Sequence, residues 1–189
     1  MKKLKLLWDL LPAMVLWLML SVFLWGWIFT FLTDAKPENK LTLFADTAVT
    51  DATGLAVRLE ETLKDGPIRM VKVHPFTYAM LSSEALRGAD VYLVRASHVQ
   101  EYREWFAPLP EGFAAAQQAQ PDELLTADGT AAGLRVYDAA QKTGSAGAYI
   151  AYQDASQPEE DFYLFFGNGS THLDDGLALR LAEQLLLIE

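Results

Sequence analysis

Apolar and polar positions fall into three regimes along this chain. The first is an uncharged run of 23 residues, Leu10 to Leu32, broken only by Pro12, Ser21, Gly26 and Thr30. At about 1.5 Å of rise per residue, a helix of that length spans roughly 34 Å, enough to cross a hydrocarbon core of about 30 Å. Pro12 is expected in the first turn of the span, where a missing N–H matters least. Trp8, Trp25 and Trp27 lie towards the two ends, where indole rings favour the headgroup interface.

In the second regime, short strand-like and helix-like periods alternate. Lys40–Asp46 reads as a strand. Thr53–Lys64 places Leu55, Leu59 and Leu63 on one helical stripe, with Asp51 or Thr53 able to cap it and Asp65-Gly66-Pro67 ending it. Ile68–His74 is a second strand. Tyr78–Arg87 is a shorter helix stopping at Gly88. Asp90–Arg95 is apolar on both faces and is therefore expected at the centre of a sheet. Strand, helix, strand, helix, strand in such short order predicts parallel neighbours joined by right-handed crossovers.

The third regime is less regular. Gln100–Phe106 suggests a helical turn, and Ala114–Gln120 a surface helix or loop. Leu134–Asp138 and Ala148–Tyr152 are expected to pair around a turn at Gln141–Gly147. Gln157–Asp161 is an acidic loop, and Asp161–Gly167 is an apolar strand. Asp174–Ile188 is a closing helix with Leu177, Leu181, Leu185 and Ile188 on one face.

Charge adds an orientation. Lys2, Lys3 and Lys5 precede the apolar run against only Asp9, so residues 1–9 are expected in the cytoplasm and residues 33–189 outside. The run exceeds a signal-peptide core, and Thr33-Asp34-Ala35 is a poor cleavage site, so an uncleaved anchor is expected. Residues 33–39 form a short polar linker. The chain carries −10 overall, and the flanking lysines leave −12 on residues 34–189. No basic patch suits nucleic acid. The absence of cysteine agrees with an exported domain that needs no disulfide chemistry.

Residues Leu41-Thr42-Leu43-Phe44-Ala45-Asp46, Gly88-Ala89-Asp90-Val91-Tyr92-Leu93-Val94 and Phe106-Ala107-Pro108-Leu109 carry a resemblance. Together they resemble the first lobe of the extracellular solute-binding proteins of bacterial ABC importers. Gly133-Leu134-Arg135-Val136-Tyr137 is similar to that family's "G-I-P-V" strand without its proline. The resemblance covers most of residues 40–189 and implies an α/β fold with a single open, mostly parallel sheet. Family members are longer, because a second lobe closes over the ligand. Here only nine residues separate Tyr152 from Phe162, where that lobe would be inserted. One lobe alone offers half a cleft, whereas small ligands are normally bound with most of their surface buried.

Candidate chemistry is sparse. His74, His98 and His172 lack metal-ligand spacing, and neither metal nor cofactor is expected. Ser170, His172, Asp174 and Asp175 invite a hydrolytic reading, since Gly167-Asn168-Gly169-Ser170 nearly matches a nucleophile turn. Against it, Thr171 or Asp174 can cap the last helix and Asp175 can favour its positive end. The remaining candidates form a cleft rim, because open α/β sheets bind ligands beyond the carboxyl ends of their strands. These are Asp46, Thr47, Arg95, Ser97 and His98, with Asn168 and Ser170 after a later strand. A buried Arg95 beside Asp46 serves equally well as a structural ion pair.

The leading expectation is a non-enzymatic, membrane-anchored extracytoplasmic binding domain. It would be an accessory or sensor subunit with another membrane or envelope protein as partner. The alternative is a solute receptor that completes its site by dimerising or docking on a permease, and a hydrolase using Ser170 and His172 comes third.

Overall fold

A computed structural model describes residues 2–77, 84–127, 130–153 and 158–188. The chain divides into two units, residues 1–36 and residues 37–189.

The first unit is the helix α1, Lys2–Thr33. Its Leu10–Phe29 stretch is long and apolar enough to cross a membrane, and none of it is buried by protein. Ser21 Oγ donates to the Trp17 carbonyl at 2.8 Å, so the hydroxyl is satisfied within the helix. The helix starts eight residues before Leu10, which places Pro12 inside it rather than in its first turn. The lysine-bearing flank is itself helical and carries the turn past the proline.

The second unit is built on one sheet whose strands lie in the order Met70–Pro75, Lys40–Ala45, Val91–Arg95, Phe162–Gly167, Thr130–Asp138 and Leu124–Ala127. Strands β1 (Lys40–Ala45), β2 (Met70–Pro75) and β3 (Val91–Arg95) are parallel, with Leu43 opposite both Val73 and Val91. The helix α2 (Ala52–Leu63) makes the crossover between β1 and β2. Asp51 caps it by accepting from Gly54 N at 2.7 Å. Of the predicted helix Tyr78–Arg87, residues 78–83 lie outside the described residues, and α3 covers Glu84–Arg87.

The rest of the sheet is antiparallel, which corrects the expectation of a mostly parallel one. Strand β8 (Phe162–Gly167) runs against β3, and β6 (Thr130–Asp138) runs against β8. Strand β4 (Phe106–Ala107) also pairs with β8. Strand β5 (Leu124–Ala127) and the two-residue β7 (Thr143–Gly144) both flank β6. The expected pairing of Leu134–Asp138 with Ala148–Tyr152 does not form. Tyr149 N and Ile150 N both turn back to the Ala146 carbonyl at 2.9 Å, so that segment is spent on turns, with one isolated bridge from Val49 to Ile150.

Alternation along the central strands separates two apolar layers. Leu43, Leu93 and Leu164 face Leu55 and Leu59 of α2 and Leu181 and Leu185 of α6 (Leu177–Leu186). Phe44, Tyr92 and Phe165 face the other way, against Leu86 and Tyr102. Tyr102 belongs to α4 (Val99–Tyr102). Of the segment Ala114–Gln120, only the end of the short helix α5 (Phe113–Ala116) is helical, pinned by Phe113 edge-on to Phe166. The closing helix begins at Leu177 rather than Asp174, because Gly176 takes φ +76° and breaks the helical path.

Candidate functional site

Strands β1 and β3 end side by side, and five of the predicted rim residues meet there. Asp46 follows β1 and is fully buried. Arg95, the last residue of β3, donates to the Asp46 carbonyl from Nη2 at 2.8 Å and from Nε at 3.2 Å. Its Nε also lies 3.4 Å from Asp46 Oδ2, and its guanidinium sits 5.7 Å above the Phe162 ring. His98, in the turn after β3, places Nδ1 2.8 Å from the same Oδ2. An ionised carboxylate only accepts, so Nδ1 is the donor whenever Asp46 is charged. Burial pushes the Asp46 carboxyl up from its ordinary value, while His98 and Arg95 pull it back down. Among the described residues, Asp46 Oδ1 has no hydrogen-bond partner. Arg95 is therefore bonded to both the carbonyl and the carboxylate of Asp46.

Thr47 and Ser97 extend the rim. Thr47 Oγ1 donates to the Ala151 carbonyl at 2.6 Å. Ser97 is gripped by Glu160, whose two carboxylate oxygens accept from its backbone N at 2.8 Å and its Oγ at 3.0 Å.

Asn168 and Ser170 are not on this rim. Strand β8 is antiparallel to β3, so its carboxyl end emerges at the opposite edge of the sheet, where β3 begins. Asn168 Nδ2 donates to the Glu104 carbonyl, and Ser170 Oγ donates to Asp90 Oδ1. The other Asp90 oxygen accepts from Thr42 N at 2.7 Å. His172 is buried beside them, but its ring faces Asp175 Oδ2 at 3.0 Å and the Pro37 carbonyl at 3.2 Å. Its backbone N, not its imidazole, meets Ser170 Oγ. The nucleophile-to-base hydrogen bond that a Ser170–His172 pair needs is absent from this arrangement. Nor does Thr171 or Asp174 cap the closing helix: Asp175 Oδ1 accepts from Leu177 N at 2.9 Å.

Next to the rim opens a cleft of about 810 Å³ that the sequence did not announce. Ala151, whose carbonyl accepts from Thr47 Oγ1, lines it, so one rim residue is bonded to the cleft's lining. Its floor includes Ile150 and the stacked rings of Tyr137 and Tyr152, 4.6 Å apart. Arg135 stands in its wall among Asp122 at 3.3 Å, Asp161 at 3.6 Å and Asp138 at 3.7 Å. Gln153 Nε2 donates to Tyr137 Oη at 2.7 Å. Glu160 and Asp161 were legible only as part of an acidic loop, and nothing in local sequence linked Arg135 to three aspartates.

No family model matches the sequence, and neither does any curated protein. Solved structures give partial likenesses. One is an N-glycan transport solute-binding protein from Streptococcus pneumoniae, at 10% identity and a TM-score of 0.37. Another is an ABC substrate-binding protein from Listeria monocytogenes in complex with cycloalternan, at 16% identity and a TM-score of 0.35. Thiaminase I from Bacillus thiaminolyticus follows at 14% identity and 0.34. Each likeness covers 52% of this chain, which spans 25%, 29% and 28% of the three respectively.

Proposed function

We propose that this chain is a membrane-anchored, extracytoplasmic binding domain without a catalytic role, an accessory or sensor subunit of a transport-related membrane complex. The anchor is the apolar span of residues 10–32, with the lysine-bearing end in the cytoplasm.

One observation carries this reading: the cleft is lined by Tyr137 and Asp138 at the carboxyl end of β6, the kind of place where open α/β sheets receive their ligands, and its Ala151 is bonded to Thr47 of the rim. The rim's charged groups are occupied by one another, and the nine residues between Tyr152 and Phe162 leave no room for a second lobe. On this reading another protein supplies the opposite wall of the cleft. That protein would meet a surface of mixed charge, with Arg135, Asp138 and Lys142 along its edge.

The size of the cleft favours a second reading, a solute receptor completed by dimerisation or by docking on a permease, since about 810 Å³ lies within the range of small-molecule sites. Photo-crosslinking residues at Gln141 and Gln153, in the full-length membrane-embedded protein, address both readings. Capture of one membrane protein from these positions, and not from Val57 on the exposed side of α2, is the expected result. Capture of a second copy of this chain transfers the case to the receptor reading. Crosslinks only from Val57 would remove the cleft from either function.

A further inference from the structure

His172 is held between two groups that only accept hydrogen bonds. Its Nδ1 faces the Asp175 carboxylate at 3.0 Å, and its Nε2 faces the Pro37 carbonyl at 3.2 Å. A neutral imidazole has one N–H and can satisfy one of them; the imidazolium satisfies both. The side chain is nearly fully buried, so water cannot easily replace a lost partner.

We propose that His172 is a proton-operated pin that fixes the first residue of the domain, Pro37, to the loop before the closing helix, and releases it when the imidazole loses its proton. Pro37 opens the 3-10 turn Pro37–Asn39 and directly follows the residues that lead from α1. The same turn is tied to the sheet through Asn39, whose carbonyl accepts from Arg69 N at 2.8 Å, so release concerns its leading residue.

The direction of the switch follows from the two acceptors. When one proton leaves, the remaining N–H stays with the stronger acceptor, the charged Asp175 carboxylate. Nε2 then presents a lone pair to the Pro37 carbonyl, and attraction becomes repulsion. The charged groups around the ring favour the pinned state. Asp175 lies in its own loop, and Asp90 lies at the start of β3, held in place by Ser170 Oγ and Thr42 N. Glu38 is the titratable residue of the turn itself. Burial opposes the charge, but the bonds to Asp175 and Pro37 and the field of Asp90 outweigh it and raise the imidazole pKa above its ordinary value. The contribution to stability is therefore complete below that ordinary value, about 6.5, and is lost as pH rises through the higher folded value.

The chain has no cysteine, so Glu38→Cys in the full-length, detergent-solubilised protein takes a single nitroxide label in the turn. Between about pH 6 and about pH 9 the mobile fraction of the label should rise about tenfold, in step with the His172 ring titration followed by NMR. In His172→Gln the label should show no pH response. Asp175→Asn, with a weaker acceptor, should move the transition to lower pH, and it decides the matter if His172→Gln does not fold. A label insensitive to pH in the otherwise native sequence would overturn the proposal. So would a response that survives in His172→Gln, or an unmoved midpoint in Asp175→Asn.

Discussion

The backbone N–H of Gly167 donates to the Asp90 carbonyl at 3.0 Å, so β8 finishes where β3 starts. The crossing is tight. A Cβ at Gly167 would run into the Ala89 carbonyl oxygen and lie 3.1 Å from Tyr92 Cε2, and the nearer clash is with backbone that cannot swing away. Gly167→Ala should therefore destabilise residues 37–189 by about 2 kcal/mol or more, above the usual range for a glycine in a strand. Urea unfolding of the domain measures it, and a loss under about 0.5 kcal/mol would mean that β8 and β3 approach less closely at this point.

Leu93 sits mid-strand in β3, fully buried and opposite both Ala45 and Leu164. Removing three carbons from such a position leaves a cavity that rigid strands on both sides cannot close. Leu93→Ala should cost about 2–5 kcal/mol in equilibrium unfolding.

Residues 37–189 made without α1 should be soluble and unfold in one cooperative transition. Both faces of the sheet are covered by the domain's own side chains, those of α2 and α6 on one side and Leu86 and Tyr102 on the other. Far-UV and near-UV circular dichroism melts should coincide, and separated transitions would mean that the two faces fold independently.

How much of this was legible in the sequence depends on the range of the interaction. The stripe Leu55, Leu59, Leu63 and the doubly apolar run Val91–Val94 state their elements locally, and both are buried as expected. Direction is different: an apolar strand reads the same whether it runs parallel or antiparallel, so Phe162–Gly167 gave its position but not its sense. That ambiguity alone placed Asn168 and Ser170 on the wrong edge of the sheet. The contact between His172 and Pro37 spans 135 positions, and no local pattern encodes it. Asp46 and Arg95 were legible as neighbours because they lie at the ends of strands that parallel order brings side by side, with a ligand-contacting and a structural role for Arg95 both open.

The pairing of Asp46 with Arg95 supports the last prediction. Asp46 is fully buried and Arg95 nearly so; removing Arg95 leaves the buried Asp46 carboxylate with His98, and removing Asp46 takes that carboxylate from both Arg95 and His98. Arg95→Ala should lower stability by about 3 kcal/mol, and Asp46→Ala by a similar amount, with His98 also losing its partner. The double substitution removes both charges and should cost clearly less than the two single losses together, with a coupling of about 1–3 kcal/mol. A ligand-contacting Arg95 behaves otherwise: its loss would weaken partner capture while leaving the unfolding midpoint unchanged. Measuring urea unfolding and crosslinking yield on the two single mutants and the double separates these roles. Additive losses, or a stable Arg95→Ala protein that no longer captures its partner, would return Arg95 from the scaffold to the binding surface.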